Sequence, residues 1–411
     1  MKTPVFPMQR VLYVVSLFPC WSETFIVREI RTLIEDGVDV RILSLKRPSE
    51  RLVQADAAAL LDRVHHPQPF VLALWGGLRA LLRYPLRIFG AAATIAAETW
   101  REPAVMLKSL VALARGLEHL HWLRQFDPEI IHAHWATYPS TVAWALGRIL
   151  ERPFGFTCHA HDIFVDRQLL VRKLEGAALA VTISRHNVGW LDANVSPLAR
   201  SKLEVVHCGV DLERSHWQPD GRAENRILAV GRLDPIKGFD TLIQALRLLH
   251  EQGMPFHCQV IGDGPLRASL QAQAQELGLQ GRLEFVGAQP QEAVRSALNE
   301  ATVFVLPSQV TADGNRDGIP VALMEAMAAG CAVVSTTVSG IPELITDGEQ
   351  GLLVPERDPA ALSRALGRLL GDAALRRHLA SAARQRIEAE FDARKEARKL
   401  HHLMAEATDV A

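Results

Sequence analysis

The chain has 411 residues, and 48% of them are hydrophobic. That length exceeds one ordinary core and suggests two domains. Lys and Arg number 45 against 46 Asp and Glu, a net charge of -1, which argues against a general nucleic-acid binder.

The five cysteines, Cys20, Cys158, Cys208, Cys258 and Cys331, are scattered and form no CxxC pair. They read as free thiols in a reducing, cytoplasmic compartment, neither disulfides nor a zinc site. Lys2 and Arg10 ahead of the apolar run 11–18 mimic a signal peptide. The run is short and no small-residue cleavage site follows, so a first buried strand is expected. Residues 70–89 come nearest to a membrane span, but Gly76, Gly77, Arg79, Arg83, Pro85 and Arg87 interrupt them.

In chain order, residues 11–18 read as a strand and 22–35 as a helix, with Glu23 early, where an acid suits the dipole, and Gly37 after its end. Residues 38–45 read as the next strand. This order opens an α/β domain with a parallel sheet. Residues 49–125 read as mostly helical. Within them Arg79, Arg83 and Arg87 fall at i, i+4 spacing, the pattern of one helical face. A solvated face and contact with an anionic membrane surface are both open there, and Pro85 breaks or kinks such a helix. Residues 129–134 and 154–161 read as strands ending in His-x-His, at His132, His134, His159 and His161. Hydrogen bonding at strand ends competes with a metal site there, and no carboxylate cluster completes the latter. Two short strands follow, at 179–184 and 203–207. Gly209 to Asp211 reads as the exit from the first domain, and the polar stretch 218–225 as a linker.

The second half repeats the α/β rhythm. Strands are expected at 226–230, 256–261, 283–286, 303–306 and 332–335, and helices at 239–250, 265–277 and from 358 nearly to the end. Gly262 and Gly264 form a turn after a strand, a weak signal alone. The loop 231–238 carries Gly231, Arg232, Lys237 and Gly238: two cations, with glycines that let backbone approach a ligand. A surface Arg and Lys near a turn is the plain alternative. The stretch 313–335 begins as a turn-rich loop with Asp317 and Gly318. Pro320 stands where a helix starts, and Gly330 where it ends. The apolar helix 321–329 holds one carboxylate, Glu325, which is costly to bury unpaired. It either makes a structural hydrogen bond or accepts from ligand hydroxyls. The helix start offers N–H groups and a positive dipole end that suit phosphate.

Asp317, followed by Gly318, Ile319 and Pro320 and then by Glu325, resembles the carboxylate-x7-Glu signature of retaining glycosyltransferases of family 4, closest to the exopolysaccharide, colanic-acid-type members. The first carboxylate is usually Glu there and is Asp317 here. The resemblance covers nearly the whole chain. It implies the GT-B architecture, two doubly wound Rossmann-like domains facing a cleft. The expected division is an acceptor-side domain at 1–211, a nucleotide-sugar domain at 212–385, and a helix at 386–411 that crosses back to the first. It implies that His159 meets the donor sugar, that Arg232 and Lys237 clamp the diphosphate beside Gly231, and that Gly262 makes a minor nucleotide contact. Asp317 would read the sugar hydroxyls, Gly318 and Ile319 would offer N–H groups, and Glu325 would hold the ribose. His132 matches a strand-end histidine without a settled role. The first strand–helix loop is often Gly-rich in that family; here Phe18 to Thr24 contains no glycine.

Glycosyl transfer leaves charge growing on a diphosphate, which fixed cations and N–H dipoles must meet. The chain has no Asp-x-Asp to hold a divalent ion, so the expected reaction needs no metal and no cofactor. The expected partners are a nucleotide-diphosphate sugar and a glycan or lipid-linked glycan acceptor, with peripheral membrane contact and no nucleic acid. A sugar-nucleotide epimerase, a non-catalytic nucleotide-sugar binder and a metal hydrolase built on the His-x-His pairs are the rivals.

Overall fold

The computed structural model describes residues 8–20, 23–48 and 53–409. Trp21 and Ser22 of the first strand–helix loop, and the start expected for the helical block at 49–52, lie outside the described residues. The chain divides into two compact units. One contains the residues up to Val206 and those from Arg394 on; the other is His207–Ala393.

The first unit is built on seven strands, β1 (Arg10–Leu17), β2 (Asp39–Lys46), β3 (Val64–His65), β4 (Ile130–His134), β5 (Phe154–Cys158), β6 (Leu179–Thr182) and β7 (Leu203–Val205). They pair in parallel in the order β3-β2-β1-β4-β5-β6-β7. Apolar runs such as Val11–Val15 are buried on both faces, as a parallel sheet covered by helices requires. Helix Thr24–Glu35 buries Ile26, Val27, Ile30 and Leu33 at helical spacing. Glu23 precedes it but caps nothing; its carboxylate accepts from Trp135 Nε1 at 3.0 Å.

The helical block is a group of separate helices, Phe70–Arg83, Pro85–Thr99, Pro103–Leu117 and Leu120–Phe126. The expected single face of Arg79, Arg83 and Arg87 is corrected here. Tyr84 leaves helical geometry (φ −133°, ψ 46°), and Pro85 opens a new helix. Arg87 therefore belongs to a different helix. It donates to the Ile149 carbonyl at 2.8 Å and pairs with Glu151.

The second unit has six parallel strands, β8 (Arg226–Val230), β9 (His257–Ile261), β10 (Leu283–Gly287), β11 (Val303–Leu306), β12 (Ala332–Thr336) and β13 (Leu352–Val354), in the order β10-β9-β8-β11-β12-β13. Both sheets therefore run outward in two directions from a central pair, β1 beside β4 and β8 beside β11. The carboxyl ends of such a pair form the crevice where doubly wound folds bind ligands.

The stretch 218–225 is not a linker, since it lies within the second unit. Its Arg222 guanidinium donates to the carbonyls of Leu298, Ala301 and Ala329, which end two helices. A polar composition there serves helix ends rather than flexibility. The units divide at 206/207 and at 393/394, so residue 386 falls inside the helix Ala373–Glu390. The last helix, Ala393–Asp409, sets Leu400 and Met404 into the core that holds Val11 and Tyr13. Arg398 grips Asp36 through two bonds of 2.8 and 2.9 Å, and Lys399 donates to the Val205 carbonyl at 2.7 Å. Among the described residues no helix is long and apolar enough to cross a membrane.

Candidate functional site

In the second unit, the loops leaving β8 and β11 are locked together. Gly238 adopts φ +66°, and a Cβ there would lie 2.0 Å from the Pro307 carbonyl oxygen. Gln309 adds two bonds to the same loop, from its N–H to Ile236 O at 2.9 Å and from Nε2 to Pro235 O at 2.7 Å. The β9 turn closes on the other side: Gly262, at φ +144°, brings its Cα so near that a Cβ would be 1.9 Å from Gly231 O. Gly262 thus has a packing reason of its own, and only glycine satisfies it.

This packing places Lys237 against Asp317. Lys237 Nζ donates to Asp317 Oδ1 at 2.7 Å, while Ser308 Oγ donates to Asp317 Oδ2 at 2.8 Å. Both charged side chains keep some solvent contact, at 16% and 11% exposure. The Lys237 stem passes 3.6 Å from where a Gly231 side chain would begin. Arg232 is on the same loop but reaches outward, its Nε 3.9 Å from Asp234. Asp317 is followed by buried Gly318, Ile319 and Pro320, and then by the helix Val321–Ala329. No group of the chain accepts from the Gly318 or Ile319 N–H among the described residues. No side chain caps that helix start, so its first N–H groups and dipole end remain available to an anion. The helix stops at Gly330 (φ +88°): Gly330 N–H bonds Met327 O and Cys331 N–H bonds Ala326 O, the paired closure in which only a left-handed residue fits. Glu325, half-buried on this helix, accepts from Gln291 Nε2 at 3.1 Å.

In the first unit, the β1/β4 crevice holds a chain of buried polar side chains. His159 Nε2 and His134 Nδ1 are 3.1 Å apart, and His134 Nε2 lies 2.9 Å from Glu29 Oε1, which also accepts from Tyr13 OH at 2.7 Å. Burial first, and then the neighbouring imidazoles, hold His159 well below the ordinary histidine range. It is therefore neutral, with Phe25 and Trp135 rings at 5.0 and 4.5 Å. Asp162 accepts from the backbone N–H of Ala136, His159 and Ala160, fixing the ends of β4 and β5 together. Trp135 has φ +78°, a strained conformation for a bulky residue of the kind that gathers at working sites. His132 bonds Thr157 Oγ1 at 2.9 Å instead. Among the described residues no group of three or more His, Cys, Asp or Glu has the geometry to hold a metal ion.

The structure thus brings Gly231, Lys237, Asp317 and Gly262 to one crevice, with Gly318 and Ile319 leading from it into the Glu325 helix. His159 follows β5, the strand beside β4, in the first unit. Ser308, Gln291, Glu29 and Trp135 were not expected. Trp135 directly follows β4 and Ser308 comes two residues after β11, and nearness to a strand end is the one signal that could have pointed to them.

Two doubly wound parallel sheets with their loops gathered at central strand pairs make the GT-B architecture of glycosyltransferases. The solved structures agree on the fold. Sucrose-phosphate synthase from Thermosynechococcus elongatus superposes with a TM-score of 0.74 at 21% identity, over 98% of this chain and 100% of that one. HepE from Anabaena, solved in complex with UDP and glucose, gives 0.69 at 17% identity, over 97% and 100%. Sequence comparison goes further. The model described as Glycosyltransferase Family 4 matches residues 22–214, and that of Glycosyl transferases group 1 matches residues 214–386. The amylovoran biosynthesis glycosyltransferase of Erwinia amylovora is 40% identical, over 95% of this chain and 96% of its own. A protein of Escherichia coli K12 named for colanic acid biosynthesis is 32% identical, over 87% and 89%. The chain belongs to glycosyltransferase family 4 and is a glycosyltransferase.

Proposed function

We propose that this enzyme transfers a sugar from a nucleotide diphosphate to a growing, lipid-linked surface polysaccharide, with retention of anomeric configuration and without a metal ion. The observation that carries the reading is the Lys237–Asp317 pair at the β8/β11 crevice, 2.7 Å long. An ammonium held there by a fixed carboxylate, between loops that glycines allow to touch, is pre-organised for negative charge developing on a leaving diphosphate. Arg232, exposed on the same loop, adds a guanidinium whose fork suits phosphate oxygens. Asp317, Gly318 and Ile319 meet the sugar, Glu325 the ribose, and Gly262 keeps the nucleotide turn in place. His159 orients the transferred sugar as a neutral hydrogen-bonding group. The exopolysaccharide names of the relatives, and the UDP bound by HepE, support the substrate classes. A lipid-linked acceptor lies at a membrane surface, so the enzyme works there as a peripheral protein.

A thermal-shift panel of nucleotide sugars tests donor recognition, because a ligand bound only by the folded state raises its melting temperature. One nucleotide-diphosphate sugar should raise the midpoint in the presence of EDTA, and Glu325→Ala should abolish the rise. A panel with no response, or a response only to free sugars, would count against the reading.

A further inference from the structure

Helix Phe70–Arg83 is packed with its small residues inward. Ala80 is buried, and Gly76 lies so close to the end of helix Pro103–Leu117 that a Cβ would be 2.5 Å from Glu118 O. Leu81 packs on the core as well, and most of the other large side chains face the other way. Val71, Leu74, Trp75, Leu78 and Leu82 are exposed at 74%, 63%, 66%, 46% and 77%. Their spacing, i, i+3, i+4, i+7 and i+11, is that of one helical face, which in a soluble domain normally meets the core. Beyond Tyr84, Leu86 and Phe89 continue the exposure. An apolar surface of this kind marks an interaction site rather than ordinary scatter.

The charge beside it identifies the partner. Arg79, Arg83 and Arg124 line a recess of about 400 Å³ together with Tyr84 and His121, and no acidic side chain lines it. The Arg83 and Arg124 guanidinium carbons lie 5.8 and 5.9 Å from the Tyr84 ring centre. From Phe70 to Ala97 the sequence contains three arginines and no acid. We infer that this helix face and recess dock the first unit on an anionic lipid bilayer. The apolar side chains enter the acyl boundary, and the guanidinium groups meet lipid phosphates at the headgroup level. A second copy of the chain fits worse, since a two-fold pairing of this face would set the same arginines against each other. The inference rests on the lipid-linked acceptor reading for its purpose, but it is tested with neither donor nor acceptor present.

The full-length protein is sedimented with vesicles of phosphatidylcholine, alone or mixed with phosphatidylglycerol. Binding to the mixed vesicles should exceed binding to the neutral ones and weaken with salt. Leu74→Glu with Leu78→Glu should lower partition by about tenfold or more. Arg79→Gln with Arg83→Gln should lower it by about fivefold for each arginine removed. Far-UV circular dichroism and the thermal unfolding midpoint without ligand should be unchanged in both variants, which separates lost docking from lost folding. A wild type that stays in the supernatant, variants that sediment like it, or a wild-type dimer that Leu74→Glu splits into monomers would each overturn the proposal.

Discussion

Gly238 allows the β8 loop to pass against Pro307, and a side chain there meets two obstacles. Its φ of +66° costs a non-glycine residue about 1–2 kcal/mol, and the Cβ would also collide with the Pro307 carbonyl. Gly37 supplies the control: its φ is +95°, with open space around it. Denaturant unfolding should show Gly37→Ala losing about 1 kcal/mol and Gly238→Ala losing clearly more. Equal losses would mean that the Pro307 contact is unimportant. Glycosyl transfer should fall only in Gly238→Ala, because that loop positions Lys237. The residues of this crevice were partly legible. Gly231, Lys237, Asp317 and Glu325 stand in a recognisable pattern of types and spacing. Ser308 and Gln291 do not, because what selects them is where the β11 loop and the helix Gln291–Glu300 come to lie. The same holds for Glu29, a helix residue that meets His134 from 105 positions away in the chain.

At the scale of elements, strands with unbroken apolar runs were legible within a residue or two, but the strand read to His161 ends at Cys158, and His161 opens a short helix. β3 and β13, of two and three residues, have no period to read. The arginine face failed because helical spacing assumes one helix, and Tyr84 divides it. The linker expectation failed because Arg222, polar in the sequence, is spent on helix-end carbonyls. Helix Ala393–Asp409 shows what packing adds. Its mean character is polar, yet Leu400 and Met404 are fully buried in the first unit. Leu400→Ala should cost about 2–4 kcal/mol by urea unfolding of that unit. A cost below about 1 kcal/mol would be the signature of a surface site and would place the helix outside the core.

At the scale of the whole molecule, the two units should differ in acid sensitivity. Every histidine buried by the fold, namely His119, His132, His134, His159 and His401, belongs to the first unit among the described residues. Burial pushes His65 and His119 down to about 4, and holds His132 and His159 well below the ordinary range. Between those values and about 6.5, the unfolded chain binds protons that the folded unit does not. Stability from these groups is therefore full above about 6.5 and falls as the pH drops toward 4. Asp162, raised by burial, acts in the opposite direction. All tryptophans but Trp217 lie in the first unit, so a tryptophan-fluorescence melt follows that unit. Its midpoint should drop between pH 7 and pH 5 while the transition of the second unit stays; a joint drop would remove the histidines as the cause.

The division into two Rossmann-like units was legible in the alternation of strands and helices, and the positions of its boundaries were not, because Gly209 to Asp211 look like an exit and yet pack in the second unit beside Phe391 and Ala393. The most direct test of the whole account is the rate of nucleoside-diphosphate release from the donor, with acceptor and EDTA present, for wild type and Lys237→Ala. The account predicts full wild-type turnover under EDTA and a loss of about a hundredfold or more in the variant. Turnover that EDTA abolishes, or a variant close to wild type, would contradict it.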